Sequence, residues 1–207
     1  MNTLLPEFFR RVDEQPDGLF YREPRRVMHI DEQASGAARA LYDELLPARG
    51  QILDLMSSYH SHLPNKFSRV VGLGLNLQEL EENPALHEAV IYDLNLNAQL
   101  PFDDEQFDGV VCTVSIQYMT RPDDTFKEVA RILKPGAPFI ITFSNRMFPT
   151  KAVLAWRASD DAAHMRLAKS YFAQACEFGN ICTRSHAPDE GDPLYALWAY
   201  KQTILKS

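Results

Sequence analysis

The segment Gln51-Ile52-Leu53-Asp54-Leu55 runs straight into Met56-Ser57-Ser58-Tyr59-His60-Ser61-His62-Leu63-Pro64. It reads as a buried strand that ends on a carboxylate and opens into a loop of hydroxyls and imidazoles. In open α/β sheets, ligands occupy the crevice at the carboxyl ends of the strands, so this stretch reads as the floor of a nucleotide-type pocket. Histidine titrates near neutral pH, which suits removal of a proton. His60 and His62 flank the loop, and His29 stands in Arg26-Val27-Met28-His29-Ile30-Asp31, just ahead of the first long helical pattern. Polar groups recur after later apolar runs: Asn76, then Asp93 and Asn95, then Ser115, Gln117 and Tyr118, then Asn145 and Arg146. Tyr118 suits a pocket wall, and Asn145 with Arg146 suits a polar or anionic partner. Each of these residues also fits a loop, a helix cap or a structural role. Asp54, Asn76, Asp93, Asn95 and Ser115 at successive strand ends together favour one shared pocket.

The elements that must position these groups are legible from periodicity. Ala34, Ala37, Ala38, Leu41 and Leu45 recur at helical spacing, which predicts a helix with one apolar face. Asp31 suits its N-cap, and Pro47 and Gly50 stop it. Strands are expected over 51–55, 69–75, 89–93, 107–114 and 137–143, with helices after Asn76 and over 122–133. Gly72 and Gly74 suggest close backbone approach near the end of the second strand. Beyond residue 150 come a segment at 151–158, a long helix over 162–178, and a final hairpin of 181–183 with 194–200. Residues 1–30 read as a short helix followed by irregular chain. The alternation over 33–183 predicts an α/β fold with a mainly parallel, doubly wound sheet, and the hairpin is expected to place an antiparallel strand at its edge.

The chain has 207 residues, 45% apolar and 24% charged, as expected of one globular domain with a real core. Its net charge of −7 argues against a general nucleic-acid binder, which needs a basic surface. No window is long and apolar enough for a membrane span, and the first residues lack a secretion signal's pattern. Cys112, Cys176 and Cys182 show no metal-ligand spacing and fit reduced thiols in a cytoplasmic protein, with Cys112 a core residue.

The order ILDL, VVGLGLN, YDLNLNAQLPFDDEQFDGVVCTVSIQYM and EVARILKPGAPFIITFSN resembles class I S-adenosylmethionine-dependent methyltransferases, most of all their type 11 branch. The LPF-x4-FD-x-V and E-x-x-R-x-L-K-P-G elements carry the resemblance, over roughly residues 50–145. It implies a seven-stranded Rossmann-like sheet in a single domain spanning 1–207. That domain divides into an N-terminal helical lid segment (1–48), a cofactor-binding core (49–145), and acceptor-side helices with the final hairpin (146–207). The implied cofactor is S-adenosylmethionine, lying across the ends of strands one to four. By resemblance, Asp54, Met56, Ser57 and Ser58 wrap its methionine part. Gly74, followed by Leu75 and Asn76, takes the place of the carboxylate that grips the ribose. Asp93, Leu94 and Asn95 meet the adenine, while Val114, Ser115, Gln117 and Tyr118 line the methyl-transfer cavity. The implied reaction is in-line methyl transfer to a small-molecule acceptor, with His29, Tyr118 and Asn145 as catalytic candidates and no metal. Tyr21 and Arg26 fall in the segment that commonly folds over the pocket, though both read more simply as structural.

Two departures from the family pattern stand out. The first loop has no glycine, and glycine serves positive φ angles and close approach of backbone to ligand. The strand-two carboxylate is replaced by Gly74, and Asn76 is a candidate to compensate. Either the loop follows a different path, with Ser57 and Ser58 replacing backbone contacts, or the protein is a methyltransferase-like binding or scaffold protein without catalysis. A nicotinamide-dependent oxidoreductase is the weaker alternative, because G-x-G-x-x-G is absent after strand one.

Overall fold

The computed structural model describes residues 5–203. After a 3-10 turn at Pro6–Phe9, the helices are α1 (Asp17–Phe20), α2 (Glu32–Leu45), α3 (Leu77–Glu82), α4 (Pro122–Ile132), α5 (Leu154–Arg157) and α6 (Asp161–Ala175). The strands are β1 (Gln51–Leu55), β2 (Arg69–Gly74), β3 (Glu88–Ile91), β4 (Gly109–Thr113), β5 (Pro138–Phe143), β6 (Cys182–His186) and β7 (Leu194–Tyr200). They form one sheet in the order β3-β2-β1-β4-β5-β7-β6. The first five strands pair in parallel, and β7 runs antiparallel to both β5 and β6. The expected hairpin therefore forms, but β7 inserts against β5, and β6 takes the outer position.

Strand alternation splits the core in two, because successive side chains leave a strand on opposite faces. Ile52, Val70, Val111, Ile140 and Trp198 pack against Ala34, Ala38, Leu41 and Tyr42 of α2. Leu53, Val71, Val110, Phe139 and Leu197 pack on the other face against α4 and α6, through Phe126, Val129 and Phe172. Cys112 belongs to this second core, and burial pushes its thiol pKa up, as suits an inert core group.

Helix and strand do not alternate throughout, contrary to the sequence pattern. The β1–β2 connection, 56–68, and the β3–β4 connection, 92–108, contain no helix. In the first, Leu63 and Phe67 pack into the α2-side core, so the loop covers the sheet where a crossover helix is usual. Residues 5–30 are a mostly irregular strap, with α1 a single turn, and the long helix within the first 48 residues is α2. The long helix ends at Ala175, three residues earlier than expected, where Cys176 adopts a left-handed φ of 60°.

Candidate functional site

The carboxyl ends of β1 to β4 open onto one cleft of about 710 Å³ of free space, counted to its mouth. Met56, Ser57 and Ser58 line it from β1; Gly74, Leu75 and Asn76 from β2; Asp93, Leu94 and Asn95 from β3; Val114, Ser115 and Tyr118 from β4. Asp54 is buried behind this lining and faces a small adjoining recess of about 20 Å³. His29 borders both spaces. Met56 and Val114 have φ of 59° and 50°, uncommon for a side chain that is not glycine and an outlier for β-branched valine. Such backbone strain clusters at ligand sites.

The β1 loop solves its lack of glycine by staying on the sheet. Ser57 N donates to Leu73 O at 2.8 Å, prolonging β1–β2 contact past the end of β1. Ser57 Oγ donates to Asp54 Oδ2 at 2.6 Å, and Asn83 Nδ2 donates to Ser58 O at 2.8 Å. Complete burial raises the Asp54 pKa to about 6, against the lowering effect of the Ser57 and Ser61 hydroxyls.

This path explains Gly74. A Cβ there would lie 2.2 Å from the Ser57 carbonyl oxygen, so the strand-two carboxylate of the family pattern has no room. Asn76 does not stand in for it. Its Oδ1 accepts from Glu79 N at 3.1 Å as the cap of α3, and its Nδ2 donates to the Tyr21 and Arg22 carbonyls at 2.9 and 3.0 Å. The cleft contains another carboxylate instead: Glu79, 4% exposed, on the first turn of α3. Burial raises its pKa, though Arg25 N donates to it at 2.6 Å. At β3, Asp93 Oδ1 accepts from Asn95 N at 2.9 Å, and Asn95 Nδ2 donates to Asp17 and to Tyr118 O.

The strap closes the top. Asp17 is its hub: Arg11 donates to both oxygens at 2.6 and 2.8 Å, and the Lys151 ammonium lies 3.1 Å away. Burial alone would raise the Asp17 pKa, but the hydrogen bonds from Arg11 and Asn95 hold it below the usual carboxylate value. Lys151 is fully buried, and it donates to Gln15 O at 2.8 Å. Phe148 stacks on Tyr118 and donates its N–H to the Tyr118 hydroxyl at 2.8 Å. It also meets the His29 ring edge-on. Burial lowers the His29 pKa, leaving a neutral imidazole at pH 7 with Nε2 3.4 Å from Ser58 Oγ.

The cleft thus gathers most of the sequence candidates, but not all. Asn145 is exposed and outside the lining, and Arg146 pairs with Asp192 at 2.6 Å. Gln117 is buried and donates to Val114 O. Arg26 pairs with Glu82 on the surface, whereas Tyr21 does line the cleft. Sequence reasoning missed Asp17, Glu79, Phe148 and Lys151 as wall residues. Only Glu79 carried a local signal, three residues after a cap residue and on the inner turn of a short helix.

A sheet of this order with its cleft at the strand ends defines an α/β nucleotide-cofactor architecture. A family model for the methyltransferase domain matches residues 56–141. The biotin biosynthesis bifunctional protein of Teredinibacter turnerae is 33% identical over 78 residues, which span 38% of this chain and only 14% of that protein. An S-adenosylmethionine-dependent methyltransferase of Thermotoga maritima shares the fold with a TM-score of 0.60 at 17% identity, over 82% of this chain and 89% of that one. Phosphoethanolamine N-methyltransferase 2 of Haemonchus contortus, in complex with S-adenosyl-L-methionine, aligns with a TM-score of 0.60 at 13% identity, over 98% of this chain and 61% of that one. Residues 56–141 thus match the methyltransferase-domain family model, and the chain shares the fold of these methyltransferase structures.

Proposed function

We propose that the protein transfers the methyl group of S-adenosylmethionine to a small-molecule acceptor. The observation that carries this reading is a single cleft lined by the polar tips of four consecutive parallel strands. The side chains there suit the cofactor. Leu75, Leu94 and Val114 offer apolar surface to a purine, with Asp93 beside them for its exocyclic amine. Glu79 is the carboxylate available to ribose hydroxyls, and Asp54, Ser57 and Ser58 are polar partners for the amino-acid arm.

When bound, the cofactor supplies a methyl group already activated as a sulfonium. The chain's own residues then need only hold, orient and shield. Correct placement of two reactants contributes about 7–11 kcal/mol to such a step. The strap, fixed by Asp17 and Lys151, covers the cleft and keeps water out. Neutral His29 is the group suited to take a proton from an alcohol or phenol acceptor. The net charge of −7 favours a small acceptor over nucleic acid, and among the described residues no helix is long and apolar enough to cross a membrane.

Calorimetry with S-adenosylhomocysteine tests the reading: saturable binding is expected, weakened about tenfold or more in Asp93→Ala. No heat at ligand concentrations up to about 1 mM, which corresponds to less than about 4 kcal/mol of binding, would reject it.

A further inference from the structure

Resting on the cofactor reading above, we propose that strap residues 21–26 compete with the cofactor for the end of β2, so that this stretch must lift away before S-adenosylmethionine can seat. Asn76 and Glu79, the polar side chains on the cleft wall after β2, are both engaged by it. Asn76 Nδ2 donates to the carbonyls of Tyr21 and Arg22 at 2.9 and 3.0 Å, and Glu79 Oε1 accepts from Arg25 N at 2.6 Å. A peptide N–H on the carboxylate and carbonyls on the amide imitate sugar hydroxyls, which donate to the one and accept from the other. Tyr21 itself lines the cleft. With the strap in place, the centre of a water molecule fits in only about 70 Å³ of that space. This is room for about five waters and not for a nucleoside.

The hold on this stretch is mostly polar, which suits it to move. Val27 and Met28, which follow it, remain 43% and 42% exposed and add no apolar anchor. Segments held by few buried apolar contacts open most readily. The outer tie is a surface pair, with Arg26 donating to both Glu82 oxygens at 2.6 and 2.7 Å. The Arg25 guanidinium sits 4.1 Å over the Phe20 ring, a contact internal to the strap that travels with it, and 5.5 Å over Phe148. The hub at Asp17 lies ahead of the stretch and keeps the rest of the strap docked through Arg11, Asn95 and Lys151. Residues 21–26 therefore swing on a fixed base. A ligand that binds only the open form has its apparent affinity reduced by the open fraction, so loosening the strap tightens binding.

Arg26→Ala and Glu82→Ala break the same pair from opposite sides; both residues are at the surface, so either variant folds, and neither lines the cleft. In calorimetry on the full chain, each variant should bind S-adenosylhomocysteine about two- to fivefold more tightly than the wild type, the span of an exposed ion pair. In the wild type, saturating S-adenosylhomocysteine should speed trypsin cleavage after Arg22, Arg25 and Arg26, because the displaced stretch is open to the protease. Weaker or unchanged binding in either variant, or slower or unchanged cleavage of these bonds, overturns the competition. The cofactor reading then stands, with the strap as a lid that closes over its ligand. No binding of S-adenosylhomocysteine by the wild type or by either variant overturns the cofactor reading and the competition together.

Discussion

Asp54 shows how one residue can serve a site at the expense of the fold. Its carboxyl has a folded pKa raised from 3.8 to about 6 by burial. A raised acid pKa means the folded state holds the proton more tightly than the unfolded chain. The associated stability is therefore fully present below about pH 3.8 and is lost as pH rises through about 6. The shift corresponds to about 3 kcal/mol. Asp54→Asn removes the charge but keeps an acceptor for Ser57. Denaturant melts should show this variant gaining up to about 3 kcal/mol at pH 8 and almost nothing at pH 4. Equal stability of the two proteins at pH 8 would contradict the assignment of Asp54 as an uncompensated buried carboxylate. The sequence shows this acid at the end of a buried apolar strand. Its lack of a cationic partner came only from the packing around it.

The β1–β2 unit is the element that shapes the floor of the cleft. Without a crossover helix, loop 56–68 lies along β2, and Ser57 occupies the space over Gly74. The glycine is therefore required by protein backbone, whereas the sequence pattern suggested only some close approach. Gly74→Ala should cost about 2 kcal/mol, because the Ser57 carbonyl is backbone and cannot swing aside. A thermal melt should fall by several degrees, and an unchanged melting temperature would show that the loop moves away freely. The same geometry fixes Asn76 in the cleft wall. Its side chain is consumed at both ends, capping α3 and pinning the strap, and Glu79 is the carboxylate left on the cleft wall beside it.

Across the whole molecule, the strap converts an open sheet edge into a covered cleft. Asp17 joins three distant parts of the chain: Arg11 in the strap, Asn95 after β3, and Lys151 after β5. Removing one member of a buried charge cluster leaves the others unpaired, which costs about 3–5 kcal/mol. Asp17→Ala should lower the denaturation midpoint accordingly, since Arg11 would lose its bidentate partner and Lys151 would keep only Asp13. A midpoint matching the wild type would mean the strap contributes nothing to the folded state. The two ion-paired ends also place Phe148 against Tyr118, with Tyr21 lining the same cleft, giving it an aromatic wall far from any single motif.

The sequence by itself determined the strands, the caps at Asp31 and Asn76, and the polar residues at the strand tips. Those features follow from periodicity and cap chemistry, which act within a few residues. Only the tertiary structure decided which polar groups were free for a ligand. Glu79 entered the wall through Arg25, 54 residues away in sequence, and Lys151 through Gln15, 136 away. Asn145 was left in solvent although its neighbours in sequence looked equally suited. Burial and pairing depend on what the rest of the chain brings alongside, and no local spacing records that.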